Sequence, residues 1–414
     1  LQTYNPPAKT YTIHDLGTLI GYSYSIAESV SGDGSTIVGW SYDAQSSFTK
    51  SANGHAFYVK LDSKGNYGPM IDIGSLGGAK SNAMSVDYSG STIVGYSTNS
   101  QNIERAFYYK NGLLNDIGSL ADNSSYKGAS RAYSISANGK IIAGESDINS
   151  VYEHAFIYDM ANSKMTDMGT LGGTWSSAKS INADGSIVVG ESRLVDGTTH
   201  AFVYSNGLMK DLGVLSGFNN SLAWAVSADG TQIVGVNFNY TYVNSNITIT
   251  AAHSFISKLD SNNNYIMYDL GSISTNSQLF SSAHSVATYG ASIVGSIQGS
   301  NNNETACLWS NNSIYNLDNL IAGNYIYSSA SSISHNGDVI VGYSSTINNG
   351  IDTNDTYAPL NSHAVVWTAN NTTAQASQFI QASAAMSGSN ASGTIASSTS
   401  LQDQQSLLFA TKPI

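Results

Sequence analysis

Cysteine is nearly absent from this chain: Cys307 is the only one in 414 residues. No intrachain disulfide can form, which excludes the small secreted domains that are stapled by disulfides. Charge is scarce as well. Only 11% of residues are charged, with 16 Lys and Arg against 28 Asp and Glu, for a net charge of −12. Phosphate backbones and anionic lipid surfaces are held by basic footprints, so neither nucleic acid nor a membrane surface is expected as a partner. No apolar run reaches the ~18 residues of a membrane span, so this region is not expected to insert. No signal peptide is visible at Leu1, and the chain starts Leu-Gln-Thr-Tyr without methionine, as a trimmed, mature form would. Catalytic signatures are missing too. There is no Gly-X-Ser-X-Gly elbow, His-Glu-X-X-His pair, phosphate-binding loop or Asp-X-Asp-X-Asp-Gly calcium loop. No cofactor or metal is expected.

What is present is a 41% hydrophobic share, enough for a sizeable core, 26 tyrosines, and a background of Ser, Asn, Thr and Gly. These residues recur in order. A strand ending in Ile-Val-Gly, or a close variant, places its glycine at Gly39, Gly95, Gly144, Gly190, Gly235, Gly295 and Gly342. The spacing of 45 to 60 residues is that of four-stranded propeller blades. Before each glycine lies an X-Gly turn: Asp33-Gly34, Ser89-Gly90, Asn138-Gly139, Asp184-Gly185, Asp229-Gly230, Tyr289-Gly290 and Asn336-Gly337. Asp-Gly and Asn-Gly between alternating runs predict hairpins in which both turn positions take positive φ.

Two further pieces complete the unit. A His-Ala-Phe strand occurs at His55, His154 and His200, with variants starting at Arg105, His253, Thr305 and His363. An Asp-aliphatic-Gly strand starts at Asp15, Asp72, Asp116, Asp167, Asp211 and Asp269, with a degenerate copy at Asn316-Leu317-Asp318. We label the strands a (before the turn), b (Ile-Val-Gly), c (His-Ala-Phe) and d (Asp-Leu-Gly). The chain opens on a d piece near Tyr11–Gly17 and ends its last repeat on a c piece near 362–368. A one-strand offset lets the first d strand complete the last blade, whereas an open solenoid would need capping repeats. The expected fold is therefore all-β: a seven-bladed β-propeller over residues 11–368, within a domain spanning 1–368. Residues 369–414 are rich in Ala, Ser and Gln and read as a linker or stalk.

Asp-Leu-Gly-Thr-Leu-Gly-Gly, Ser-X-Asp-Gly-X-Ile-Val-Gly and His-Ala-Phe together resemble the bacterial extracellular HAF-repeat family, over all seven repeats and most closely across 167–202. The resemblance implies a secreted or cell-surface protein. Since HAF repeats also occur in autotransporter passenger domains, it further implies a passenger whose tail leads to a β-barrel anchor. It assigns no activity.

The repeated His and Asp invite a metal or acid–base reading. A ring spreads equivalent positions around its circumference, however, so they cannot converge on one ion, and a structural bond once per blade is preferred. Glu145 and Glu191 occupy equivalent places after Gly144 and Gly190 in adjacent blades and form a candidate carboxylate pair. Cys307 replaces a core Phe and reads as a buried, inert thiol.

Function is then expected where the copies disagree. The b–c and d–a loops share one face. Three b–c loops are long, near 42–53, 238–250 and 345–361, and the aromatics of this face are candidate binding residues: Tyr22, Tyr24, Trp175, Phe218, Phe238, Tyr240, Tyr242, Tyr325 and Tyr327. The first reading is a binding module, an adhesin or host-interaction passenger, contacting a protein or glycan of a host or cell surface. The alternative is a propeller enzyme, a lyase or glycosidase, with its site at the central channel mouth. The non-repeating His14, His284 and His335 are its candidates, and a buried polar cluster in the channel would favour it.

Overall fold

The computed structural model describes residues 9–43, 53–123, 126–243, 246–271, 280–288, 292–298, 304–311, 313–318, 327–345 and 362–370. Tyr325, the Tyr289-Gly290 turn, most of two long b–c loops (44–52 and 346–361) and the tail beyond residue 370 lie outside them.

Seven four-stranded antiparallel blades follow one another, each in the order a-b-c-d. Blade one is Tyr24–Val30, Thr36–Tyr42, Gly54–Lys60 and Ile71–Asp72; blade two is Gly77–Val86, Thr92–Asn99, Glu104–Lys110 and Leu113–Asp116. Blade three is Ser130–Ile135, Ile141–Asp147, Glu153–Asp159 and Lys164–Asp167; blade four is Ser176–Ile181, Ile187–Arg193, Thr199–Ser205 and Leu208–Gly213. Blade five is Asn220–Val226, Gln232–Val243, Asn246–Leu259 and Tyr265–Asp269; blade six is Ser281–Val286, Ser292–Gln298, Glu304–Ser310 and Ser313–Asn316. Blade seven takes Tyr327–Ile333, Val339–Ser345 and His363–Ala369 from the end of the repeat array. Its fourth strand is Tyr11–Gly17, paired antiparallel from Tyr11↔Ala369 to Gly17↔Ala364. The offset read in the sequence is thus the closure of the ring.

Each a strand packs against the a strand of the next blade, and Tyr327–Ile333 packs against Tyr24–Val30 to complete the circle. The a strands are therefore innermost. The core is divided into seven hydrophobic clusters, one per blade interface. Between blades one and two, Val38 and Ala56 meet Ala83, Val86 and Ile93. The c-strand phenylalanines Phe57, Phe107, Phe156, Phe202 and Phe255 are fully buried, each contributing about 1.5–3 kcal/mol of transfer free energy. Cys307 takes that place in blade six, fully buried, and burial pushes its thiol pKa up, as an inert core thiol requires.

The glycine after each Ile-Val run has a specific cause. All seven a strands carry a bulge, with a register shift such as that between Ala178 and Ser180. The bend drives the carbonyl oxygen of the preceding residue into the space a Cβ on the facing glycine would occupy, as Ser177 O does at Gly190. Only glycine admits that approach.

Two sequence expectations need correction. In the a–b turns only the glycine takes positive φ, as at Gly34, Gly139, Gly185 and Gly230; the preceding Asp or Asn does not. That residue works through its side chain instead. Asp33 Oδ1 accepts from Ser35 N at 2.9 Å and from Ser31 Oγ at 2.6 Å, and Asn138, Asp229 and Asn336 are bonded in the same way. The doubly positive pair occurs in c–d turns, at Asn111-Gly112 and Asn206-Gly207. The 238–250 segment, expected as a loop, is a continuing hairpin: Gln232–Val243 pairs with Asn246–Leu259 up to Val243↔Asn246. Its alternation of Phe238, Tyr240 and Tyr242 opposite Ile247 and Ile249 has the period of a strand.

Candidate functional site

The repeated polar residues belong to the scaffold. His55 Nδ1 donates to Asp72 at 2.8 Å, and the same contact joins His154 to Asp167 at 3.0 Å, His200 to Asp211 at 2.9 Å, His253 to Asp269 at 3.1 Å and His363 to Asp15 at 2.9 Å. Each of these aspartates also accepts the N–H of the glycine two residues on, at 2.6–2.7 Å, so one carboxylate fixes both the d-strand end and the c strand. In blade two Arg105 replaces the histidine and bridges Asp116 and Asp122. Its hydrogen bonds and charge outweigh burial and hold the Asp122 carboxyl down to about 2. No group of three metal-ligating side chains occurs among the described residues.

A second repeated contact escaped the sequence reading. A buried serine opens the inner strand of every blade, in the pattern Ser-X-Ala: Ser25, Ser81, Ser130, Ser176, Ser221, Ser281 and Ser328. Its hydroxyl accepts the backbone N–H of the c strand in the preceding blade, as from Ala155 to Ser176 at 2.8 Å. In five of the blades it also donates to a glycine carbonyl at the end of the preceding d strand, as from Ser176 to Gly169 at 2.6 Å, while Ser328 donates to Asp318 Oδ2 instead. One hydroxyl thus sews three strands of two blades. The invariance of Ser-X-Ala in seven copies was the available signal.

The residue after that alanine sits at the bulge, outside the ladder. Its identities are Glu28, Met84, Tyr133, Lys179, Trp224, His284 and Ser331. Bulges re-aim side chains, and here neighbours on successive innermost strands meet. Lys179 Nζ lies 4.6 Å over the Tyr133 ring, and the Trp224 and His284 rings stand edge to face at 6.0 Å. Among the described residues, the sector of blades three and four carries a connected set of polar contacts. Tyr133 Oη and Arg131 Nη1 both donate to Glu145 Oε1 at 2.7 Å, Arg131 Nε donates to Glu104 at 2.7 Å, and Lys179 lies 3.5 Å from Glu191. Burial alone would raise the Glu145 carboxyl, but the Lys179 and Arg131 charges overcome it and hold the group low. Glu191 goes the other way: burial, reinforced by Glu145, raises it despite Lys179. The candidate carboxylate pair is therefore gathered around one lysine with its two pKa values pushed apart. His284 donates through Nδ1 to the Ala330 carbonyl at 3.0 Å, and burial lowers its pKa. His335 packs on Tyr88, ring centres 5.3 Å apart, at the a–b turns, and His14 is exposed on the outermost strand of blade seven. The three candidate histidines do not form one site.

The loop-face aromatics divide by role. Tyr22 and Phe218 lean on the clamp histidines, with ring centres 5.9 Å from His55 and 5.1 Å from His253. Tyr24 packs on Tyr42 at 5.5 Å, and Phe238 stacks with Tyr240 at 6.4 Å on the extended hairpin. Tyr327 donates its hydroxyl to Glu304 and stacks on Tyr343. The side chain of Tyr242, like Tyr325, lies outside the described residues. Trp175 differs from these. It donates its indole N–H to Glu153 at 3.2 Å and forms a wall of an open depression of 560 Å³ between blades three and four. The opposite wall is the blade-three b–c loop, where Val151 and Tyr152 are 73% and 42% exposed, and Arg193 stands at the end of the blade-four b strand.

No protein-family model matches the chain, and no curated protein matches it in sequence. Its fold is similar to solved structures of low identity. TolB from Acinetobacter baumannii is 16% identical with a TM-score of 0.42, over 70% of this chain; the chain spans 63% of that TolB chain. The β-propeller domain of the Trilobed protease from Pyrococcus furiosus is 11% identical, covering 84% of this chain and 94% of its own, with a TM-score of 0.49. The Cps50 (Swd1) β-propeller domain of Myceliophteria thermophila is 8% identical, covering 87% and 99%, also at 0.49.

Proposed function

We propose that this propeller is a binding module of a secreted or cell-surface protein, holding a protein or glycan on its b–c/d–a face. The observation that carries the reading is the depression between blades three and four, where the exposed Tyr152 and Val151 and the half-buried Trp175 line a wall beside Arg193. Trp, Tyr and Arg dominate the energetics of binding surfaces, and 560 Å³ falls within the size range of ligand pockets. The likeness of the repeats to the HAF family supports the extracellular setting and the reading as an adhesin or autotransporter passenger. The test is binding to host cells by the whole chain and by a Val151→Ser, Tyr152→Ser, Trp175→Ala variant. Binding is expected to be lost with the melting temperature unchanged; retained binding counts against this face.

A second reading, a lyase or glycosidase at the channel mouth, is favoured by one observation, the Glu145–Tyr133–Lys179–Glu191 group. Its charges pair with one another, as a structural network also requires, so it stands behind the first. Turnover of a polysaccharide that Glu191→Gln abolishes would reverse the order.

A further inference from the structure

The depression between blades three and four carries chemistry that narrows its ligand. Two carboxylates lie in its wall, and both are committed to the protein. Asp147 Oδ2 accepts from Tyr126 Oη at 2.9 Å and from Ala129 N at 2.8 Å. Glu153 Oε2 accepts the Trp175 indole at 3.2 Å, and its other oxygen lies 3.7 Å from Arg131 Nη1. Arg193 is the contrasting case. Its backbone is bonded on both sides, N to Trp175 O at 2.9 Å and O from Gly173 N at 3.0 Å, so its position is fixed. Its side chain is exposed, and among the described residues its guanidinium has no acceptor. Of the three charged side chains that line the depression, Arg193 alone has no hydrogen-bonding or ion-pair partner among the described residues.

The remaining walls suit a ring with an apolar face and hydroxyls. The Trp175 ring is restrained by the hydrogen bond from its N–H to Glu153. The facing b–c turn is also pre-formed: Asn149 Oδ1 accepts the N–H groups of Val151 at 2.8 Å and Tyr152 at 3.0 Å. Exposed apolar side chains on a fixed turn need no ordering when a ligand arrives. A Cβ on Gly173 would overlap the Arg193 carbonyl, so glycine there lets the d–a loop lie against the strand end that carries Arg193.

We infer that the ligand is an acidic saccharide, with its carboxylate forked by Arg193 and an apolar sugar face against Trp175. The inference rests on the reading of this face as the binding face, and adds the ligand class. A guanidinium offers a carboxylate two parallel N–H donors, which a neutral sugar cannot use equally well.

The experiment is calorimetric titration of the whole chain with sialyllactose, a glucuronate-containing disaccharide, lactose and an acidic peptide, at low salt. The acidic sugars are expected to bind at least tenfold tighter than lactose. Arg193→Gln should remove that preference, Arg193→Lys should keep part of it, and Trp175→Ala should weaken acidic and neutral sugars together. Melting curves check that each variant is folded. Equal affinity for sialyllactose and lactose, unchanged in Arg193→Gln, would overturn the acidic class. So would tighter binding of the peptide than of any sugar. If no sugar binds while the Val151, Tyr152 and Trp175 variant still loses cell binding, the saccharide is wrong and the binding face stands. If that variant keeps cell binding as well, both fail.

Discussion

The hydroxyl of Ser25 accepts the backbone N–H of Ala364 at 2.8 Å, across 339 residues of chain, and donates to Gly17 O at 2.5 Å. Three strands from opposite ends of the sequence meet on one buried oxygen. Ser25→Ala leaves a buried N–H and C=O without that partner, which costs about 1–3 kcal/mol. Urea denaturation should show the midpoint falling by the corresponding amount with the m-value unchanged.

The His363–Asp15 clamp ties the same closure to pH. The hydrogen bond to Asp15 raises the His363 pKa above its ordinary value. Burial works against the Asp15 charge, but the bonds from His363 and Gly17 outweigh it and lower that pKa. The raised histidine contributes stability that is full below its unfolded pKa and is lost as pH rises through the folded one. The lowered aspartate contributes stability that is present above its unfolded pKa and is lost as pH falls through the folded one. The clamp is therefore strongest between the unfolded values, about pH 4 to 6.5. Both side chains are substantially exposed, so the effect is small, about 0.2–1 kcal/mol. Melting at pH 5.5 and pH 8 should differ less in His363→Gln than in the unaltered chain.

Glycines of two kinds should respond differently to alanine. At Gly190 a Cβ would overlap the Ser177 carbonyl, so Gly190→Ala forces the bulge to move and should cost about 3 kcal/mol or more. At Gly207 the space is open and only φ +79° resists, so Gly207→Ala should cost about 1–2 kcal/mol. Denaturation midpoints of the two variants should rank in that order.

The channel charges should be coupled. Arg131 lies within hydrogen-bond reach of Glu104 and Glu145, and removing it leaves both carboxylates without the guanidinium that pairs them. Arg131→Gln should destabilise by about 3–5 kcal/mol, and adding Glu145→Gln should recover part of the loss. A double-mutant cycle with no coupling would show that these groups are independent.

The ring was legible in the sequence because it is built by repetition. Seven Ile-Val-Gly strands fix the blade count, and the stray Asp15-Leu16-Gly17 discloses the closure. The extended hairpin was missed because the length of its Tyr-rich segment resembled a loop, although Phe238, Tyr240 and Tyr242 alternate. The channel ring was missed for a different reason. Its seven members, from Glu28 to Ser331, share no residue type, and a bulge cannot be seen until strands are paired. Equivalent positions on c and d strands do stay apart, but those on the innermost strands face one axis, so Lys179 and Tyr133 meet. The depression at Trp175 was half legible. Trp175 was marked by its loop, while Arg193 joins it through the a–b pairing within blade four and Tyr152 only through the packing of blades three and four.

Comparing the two faces of the ring tests the functional account most directly. Cell and glycan binding should be measured for Tyr152→Ser with Trp175→Ala on the b–c/d–a face, and for Leu113→Ser with Leu208→Ser at the c–d turns of the other face, where both leucines are more than 60% exposed. The account predicts that the first pair abolishes binding and the second leaves it intact, with both variants melting as the unaltered chain does. Binding that survives the first pair, or is lost only with the second, would contradict it.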